Sequence, residues 1–175
     1  MRRVHLRATI IAAAVATFAI EVDAQSPNAI LAYSTTELLE AQRAALVQLA
    51  PEPLVDSAGA SRITVCVSVN RGGQEFSADS LTLAALDIPG RRALIPKHCP
   101  QTYVMAMYNT DRAPRGYIDP YYMSVTRISA PNDTRLVMMI DVTQDIRTTS
   151  YRCTATRDKS SWHSECEIYA TSAGQ

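Results

Sequence analysis

The sequence predicts an α+β domain in which one or two N-terminal helices pack on a curved antiparallel β-meander. Two observations predict this class. Helical spacing of apolar residues is found early in the chain, and the second half is a series of apolar strands separated by turns. A third observation is the even number of cysteines, four, which allows two disulfides.

The N-terminus has the features of a secretory signal peptide. Three arginines precede the uncharged, apolar-rich run Ala8–Ile20, and small residues before Gln25 supply a cleavage site. The run is too short for a transmembrane span, which needs roughly 20 residues. We therefore expect residues 1–24 to be removed and residues 25–175 to form a single domain in the periplasm or outside the cell.

The charge of the chain excludes two classes of partner. There are 17 basic and 17 acidic residues, so the formal net charge is zero. Nucleic-acid-binding domains usually carry a basic patch, and membrane-surface binding usually requires a basic cluster. The sequence shows neither, so we expect no nucleic-acid partner.

The first predicted element is a helix over Thr35–Leu49. Ser34 and Glu37 match a capping box, in which each side chain hydrogen-bonds to the backbone amide of the other residue. Tyr33 and Leu38 occupy the positions of a hydrophobic staple. The two prolines that follow end the helix, because proline cannot continue its hydrogen-bond ladder.

The middle of the chain predicts a strand, a helix and a short strand. Apolar residues alternate with polar ones over Ile63–Val69, as in a strand with one apolar face. A short helix is expected over Ser77–Leu86, capped by its first serine, with Leu81 and Ala85 facing inward. A brief strand over Ala93–Ile95 follows.

From Thr102 onward the pattern predicts strands alone. The expected strands are Tyr103–Tyr108, Tyr121–Ser129, Arg135–Val142, Ile146–Arg157 and Trp162–Thr171. In its order of elements the chain resembles the cystatin-like and NTF2-like rolls, in which helices cover one face of a curved sheet. The resemblance implies a fold and no function.

The residues of the final hairpin predict how its two strands are aligned. If Arg157 and Trp162 close it, one alignment pairs two thiols, two opposite charges and two apolar side chains. A shift by one residue would turn every side chain to the other face of the sheet. The facing pairs are Cys153 with Cys166, Arg152 with Glu167, and Tyr151 with Ile168.

This register predicts one disulfide, and the other then follows. Cysteines that face each other at non-hydrogen-bonded positions of antiparallel strands are close enough to be bridged. We therefore predict the disulfide Cys153–Cys166, and Cys66–Cys99 follows by elimination. Disulfides persist in the oxidising compartments to which a signal peptide leads.

No combination of residues predicts a catalytic centre. His98 and Cys99 are adjacent on an extended segment, so their side chains point to opposite faces and form no dyad. Ser161, His163 and Glu165 have the composition of a triad on one strand face. Neighbours on a strand face lie about 6.6 Å apart, which is too far for a hydrogen bond between nucleophile and base.

No cofactor or metal is expected. The histidines and cysteines match no standard zinc spacing, and disulfide-bonded cysteines cannot be ligands. Met105, Met107, Met138 and Met139 could offer thioethers to Cu(I). Methionines on strands are more often core residues, so copper handling is the weaker alternative.

The segment most suited to recognition is the loop over Asn109–Tyr122. Tyrosine and arginine are enriched at binding hot spots, and long loops often carry function. The alternative is a solvated hairpin loop whose tyrosines pack its base. The candidate binding residues are Tyr108, Arg112, Arg115, Tyr117, Tyr121 and Tyr122.

Several short motifs give the chain a likeness to other proteins. They are a cysteine-bearing first strand, a helix followed by Ile88 and Pro89, the His98-Cys99 pair, a meander and the late Trp162. In these the chain resembles small exported bacterial proteins of unknown function. The resemblance covers about Ile63 to Tyr169 and implies neither an activity nor site residues.

The sequence leads to two expectations for function. The first is a non-catalytic binding or structural module of the bacterial cell envelope, whose partner is a cell-envelope protein or a glycan. The second is a small enzyme or ligand-binding protein with a pocket between the first helix and the concave face of the sheet. Asp141 and Asp145 are the candidate acids of that pocket.

Overall fold

The computed structural model describes residues 33–71, 74–100 and 118–173, which contain two α-helices and seven β-strands. The α+β class is therefore confirmed. The predicted signal peptide and the strand predicted over Tyr103–Tyr108 lie outside the described residues. The elements are α1 Thr35–Leu49, β1 Ile63–Arg71, β2 Gln74–Ser77, α2 Ser80–Leu86, β3 Arg91–Leu94, β4 Tyr121–Asn132, β5 Arg135–Gln144, β6 Arg147–Asp158 and β7 Ser161–Ala173.

All seven strands belong to one sheet. Strands β4 to β7 form the predicted antiparallel meander. Strand β1 pairs in parallel with β4 on one edge, and on its other edge with β3 in parallel and with β2 antiparallel. Because α2 connects the β1–β2 hairpin to β3, the chain can return in the same direction, which parallel pairing requires.

The two faces of the sheet differ in character. The inner face, which we define by Val65, Met123, Ile140 and Cys153, is apolar and packs against α1. The outer face carries the alternate residues of each strand, and many of them are polar. Sheets that pack a helix layer on one face commonly alternate in this way.

Helix α1 covers the inner face of β5 to β7. Its buried residues are Ala41, Gln42, Ala45 and Leu46, and the two alanines let the helix approach the strands closely. The space beneath it is filled by apolar side chains that are fully buried. Full burial of a side chain of this size contributes about 1.5–3 kcal/mol. These side chains include Leu46, Met123, Leu136, Met138 and Ile140.

The predicted start of α1 is confirmed. The Glu37 amide donates to Ser34 Oγ at 3.2 Å, and the Ser34 amide donates to Glu37 Oε2 at 2.8 Å, which completes the capping box. Tyr33 is buried ahead of the cap, and its ring lies 5.9 Å from that of Trp162. Its hydroxyl donates to the Asn132 carbonyl, so the residue anchors the helix to the β4–β5 turn.

The predicted start of the second helix is wrong. Helix α2 begins at Ser80 rather than Ser77, and its cap is Asp79, whose Oδ1 accepts from the Leu81 and Thr82 amides at 3.0 Å each. The inward residues are Thr82 and Leu86, while Leu81 is 64% exposed. Ser77 instead ends β2, a strand that the sequence pattern did not predict.

Both predicted disulfides and the register of the last hairpin are confirmed. Cys153 faces Cys166 with 4.0 Å between Cα atoms, and the neighbouring pairs are the predicted ones. The Cys66–Cys99 bridge links β1 to the short 3-10 turn Pro96–His98. The first bridge therefore fixes β6 to β7, and the second fixes β1 to the segment after β3.

Candidate functional site

A concave feature of the described residues lies between α1 and the start of β7. It has a volume of about 480 Å³, and we call it the α1–β7 cleft. Its helical wall includes Glu40, Arg43, Ala44 and Val47, and its strand wall includes Trp162 and His163. It opens beside β7, the last strand in the order of the sheet.

The cleft lies where α1 packs along β7. The buried face of α1 points at the strands, whereas Ala44 and Val47 lie further around the helix on the side of β7. Val47 is 41% exposed, and Ala44 is partly buried against the core. Together with the buried Trp162, these residues are the apolar part of a lining that is otherwise polar.

Charged groups lie at the rim of the cleft. Arg43 Nη2 is 3.6 Å from Asp79 Oδ1, so the guanidinium is held toward the start of α2. In the described part of the chain, the buried Arg43 Nε has no hydrogen-bond partner. Burial alone would raise the pKa of Asp79, but hydrogen bonds from Thr82 and the charge of Arg43 lower it overall. Arg43 on the rim is therefore paired with an ionised acid at the start of α2.

Ser161 and His163 are in contact, contrary to the prediction from strand spacing. Ser161 Oγ lies 3.2 Å from His163 Nε2, and it is also 3.4 Å from the Asp158 carbonyl oxygen. The prediction was wrong because it used the separation of backbone positions, whereas the two side chains lean toward each other. No hydrogen bond joins Glu165 to His163 among the described residues, so the contact is a dyad and not a triad.

Asp141 does not face the space between helix and sheet. It lies on the outer face, since its neighbours Ile140 and Val142 pack into the core. Ser150 Oγ donates to Asp141 Oδ1 at 2.6 Å. Asp145 lies at the tip of the β5–β6 turn with φ 57°. The pocket expected around these two acids is instead occupied by the apolar core.

A polar row crosses the outer face at Asp141. Four residues are aligned by the pairing of β1, β4, β5 and β6, and one hydrogen bond of 3.1 Å joins the hydroxyls of the first two. The row is Ser68, Ser124, Asp141 and Ser150. These groups bond to one another across the strands, which is a structural use of polar side chains on a sheet.

The predicted recognition loop is described only at its end. Tyr121 and Tyr122 begin β4 and point to opposite faces. Tyr121 packs against the core, and the Tyr122 hydroxyl donates to the Pro100 carbonyl at 2.8 Å. Burial, and then the charge of Asp119, raises the pKa of Tyr122. The other candidates, Tyr108, Arg112, Arg115 and Tyr117, lie outside the described residues, so the loop remains a prediction.

The methionines do not form a thioether pair in the described residues. Met138 is fully buried on the inner face, whereas Met139 is on the outer face opposite Arg152. Met105 and Met107 lie outside the described ranges. Across residues 33–71, 74–100 and 118–173, no group of three or more His, Cys, Asp or Glu side chains is placed to hold a metal ion.

Two further findings concern membrane spans and the comparison with known proteins. Neither helix within the described ranges has the length and apolar character needed to cross a membrane. The sequence matches no protein-family model, no curated protein and no solved structure. The site is therefore interpreted from its own geometry.

Two residues of the cleft were missed by sequence reasoning. Ala44 and Val47 took no part in the prediction of α1, which used its cap and the prolines that follow it, and isolated apolar residues on a helix surface are common. The available signal was their spacing of three, which places both on one side of a helix.

Proposed function

We propose that this protein is an exported binding module of the bacterial cell envelope and that it binds a partner at the β7 border. The β7 border is the α1–β7 cleft together with the outward edge of β7. One observation carries the proposal: a cleft of about 480 Å³, in which Ala44, Val47 and Trp162 lie among polar side chains, opens directly beside a strand edge that no described strand covers. Concave sites that combine apolar side chains with a few placed polar groups are the usual form of binding sites.

Export is supported by two independent features. The N-terminal sequence has the three parts of a signal peptide. The four cysteines form two disulfides, and such bonds persist in the periplasm and outside the cell while the cytosol keeps thiols reduced.

A polypeptide partner fits this border better than a glycan. A strand edge offers backbone donors and acceptors in a regular array, which is the pattern that another polypeptide backbone complements. The loop over Asn109–Tyr122 is retained in the proposal as a second contact, because of its tyrosines and arginines.

Site-specific photo-crosslinking tests the proposal. A photoreactive amino acid is placed at Val47 in the cleft, in the full-length protein produced in the source bacterium. The matched control carries it at Ile146, an apolar residue that is 47% exposed at the β5–β6 turn, at the end of β6 away from the cleft. We expect a defined adduct from position 47 and none from position 146. Equal labelling from both positions, or no adduct from position 47, would refute binding at the border.

A second candidate function is the binding or hydrolysis of a small molecule in the same cleft. The contact of 3.2 Å between Ser161 and His163 favours it, since a serine hydroxyl beside an imidazole is the basic unit of nucleophilic catalysis. A small chromogenic ester is the probe. Turnover that disappears in both Ser161→Ala and His163→Ala would support it, and turnover equal to that of buffer would remove it.

A further inference from the structure

The backbone of β7 presents a regular set of groups away from the sheet. In an antiparallel pair, facing residues with the shorter Cα separation are those that exchange no hydrogen bonds. Cys153 and Cys166 face each other at 4.0 Å, so the Cys166 amide and carbonyl point away from β6. Because the pattern alternates, the backbone groups of Trp162, Ser164 and Ile168 point the same way.

These outward groups form an open template. In the described part of the chain, β7 pairs with β6 alone. Natural sheets commonly protect such an edge with lysine, proline or a bulge. The thirteen residues of β7 contain no lysine, arginine or proline, and the irregularity in its pairing lies beyond Ile168. Among the described residues, the stretch Trp162–Ile168 is therefore regular and has no lysine or proline, and the charges on it are the carboxylates of Glu165 and Glu167.

Helix α1 supplies a wall beside this template, and Ala44 and Val47 are the apolar residues of that wall. The α1–β7 cleft lies on the inner side of the edge, where Ala44 and the exposed methyl groups of Val47 line it. A strand added to β7 would turn every second side chain toward this wall. Apolar residues at those positions would bury Val47.

The outer side of the β7 edge carries charged side chains. Glu165 and Glu167 both lie on the outer face of β7 and are exposed. Glu167 faces Arg152 on β6 and Glu165 faces the uncharged Thr154, and Arg135 and Arg152 line the same polar depression as the two acids. Opposite charges on adjacent strands stabilise a sheet and like charges destabilise it. An added strand would therefore favour basic residues on this side.

We propose that the β7 border binds an extended segment of a partner polypeptide as an eighth strand. The segment alternates apolar residues, which face Ala44 and Val47, with basic residues, which face Glu165 and Glu167. This inference rests on the proposed function and names its partner chemistry. A second copy of this chain fits less well, because β7 carries two glutamates and no lysine or arginine with which to pair.

The first experiment uses the oxidised, mature protein and a synthetic peptide of about eight residues that alternates valine and lysine. Binding is followed by the fluorescence of Trp162, the single tryptophan of the chain. Two peptides serve as controls: one has the same composition in non-alternating order, and the other carries glutamate in place of lysine. We expect saturable binding of the first peptide alone, and equal binding of all three would overturn the proposal.

Amide hydrogen exchange tests the mode of binding. The amides of Trp162, Ser164 and Cys166 should exchange more slowly in the presence of the alternating peptide. The Glu165 amide points toward β6 and should change little. Binding without protection of the outward amides would contradict strand addition.

A backbone variant tests the same point. Ser164→Pro removes an outward amide and leaves the hydrogen bonds between β6 and β7 in place, since proline is tolerated at such edge positions. We expect it to weaken peptide binding roughly tenfold, as for a lost hydrogen bond at the strong end of the usual range. Ser164→Ala keeps the amide and should bind nearly as the wild type. If the proline variant does not fold, a peptide N-methylated on alternate amides removes the same bonds from the other side.

The outcomes separate this inference from the proposed function. A Val47 adduct in cells with no peptide binding in vitro would keep the binding border and overturn strand addition. Loss of both the Val47 adduct and the peptide binding would overturn both the proposed function and strand addition. A dimer of the protein alone that Ser164→Pro disperses would assign the edge to a second copy and overturn a partner peptide.

Discussion

Glu37 in the first turn of α1 forms an ion pair with Arg157 near the end of β6, a residue 120 positions further along the chain. Glu37 is also the acid of the capping box, so one carboxylate holds the helix start and the tip of the last hairpin together. The hydrogen bond from the Ser34 backbone is the largest cause that lowers the pKa of Glu37, and the charge of Arg157 adds to it.

Glu37→Gln should make the stability of the protein less dependent on acid pH. Because the pKa of Glu37 is lowered in the folded state, its contribution is present above the unfolded pKa of about 4.3 and is lost as the pH falls through the folded value. The wild type should therefore be the more stable protein at pH 7, and the difference should shrink at pH 3. Urea unfolding at both pH values measures this.

Arg157→Gln is the control for that prediction. It removes the ion pair and leaves the Ser34–Glu37 capping box intact. Arg157→Gln should change the pH dependence of stability less than Glu37→Gln does, because the hydrogen bonds from Ser34 are the larger cause of the lowered pKa of Glu37. A difference between wild type and Glu37→Gln that stays constant from pH 7 to pH 3 would contradict the assignment.

The Cys153–Cys166 bridge on the inner face should contribute substantially to stability. Its loop spans a sequence separation of 13, and closing a loop of about 15 residues stabilises by roughly 3 kcal/mol in the chain-entropy model. The double variant Cys153→Ala, Cys166→Ala should lower the free energy of unfolding by about that amount. Chemical denaturation under non-reducing conditions measures it.

A thiol assay accompanies the disulfide prediction. The native protein should show no free thiol within the described cysteines, and denaturation with a reductant should release four. The double variant should release two. A double variant as stable as the wild type would show that the β6–β7 register is held by pairing alone.

The register of the last hairpin was predictable because its own residues specify it. Cys153 with Cys166 and Arg152 with Glu167 satisfy chemistry that only one alignment offers. The start of α1 was predictable for the same reason, since Ser34 and Glu37 are three residues apart and need no distant partner. Both features follow from contacts between residues that are near each other in the sequence, and the rest of the fold leaves these contacts unchanged.

Features that depend on distant parts of the chain were not predictable. Ser77 and Asp79 are both good caps, and the choice of Asp79 follows from the pairing of Ser77 with Ser68 in β2 and β1. The parallel pairing of β1 with β4 joins segments separated by more than fifty residues, and no local pattern encodes that choice. The α1–β7 cleft likewise depends on how α1 packs against β7, an element more than a hundred residues away in the sequence.

Gly90→Ala should be more destabilising than Gly59→Ala. Both glycines have positive φ, +91° and +82°, which costs a residue with a Cβ about 1–2 kcal/mol. At Gly90 the new Cβ would also lie 2.9 Å from the Leu54 backbone nitrogen and from Pro53 Cβ, while at Gly59 it meets nothing within 4 Å. Thermal melts of the two variants measure the difference.

The second variant isolates the effect of close packing. The backbone strain is similar at the two positions, so the extra loss at Gly90 reports the contact with the segment after α1. That contact includes a hydrogen bond of 2.9 Å from the Leu54 amide to the Gly90 carbonyl. Equal losses of stability in the two variants would show that the segment with Pro53 and Leu54 moves away from the new Cβ at no cost in free energy.

Replacing Arg112, Arg115 and Tyr117 together by alanine tests whether the predicted loop is a second contact for the partner. If it is, the adduct formed from Val47 should decrease, because arginine and tyrosine are the residues that dominate binding energy at many interfaces. The melting temperature should stay the same, since loop residues rarely contribute to the core. Crosslinking yield and a thermal melt, measured on the same preparation, separate the two effects. An unchanged adduct would restrict the partner's contact to the β7 border. A lowered melting temperature would instead support the alternative interpretation, in which the loop's side chains pack against the domain.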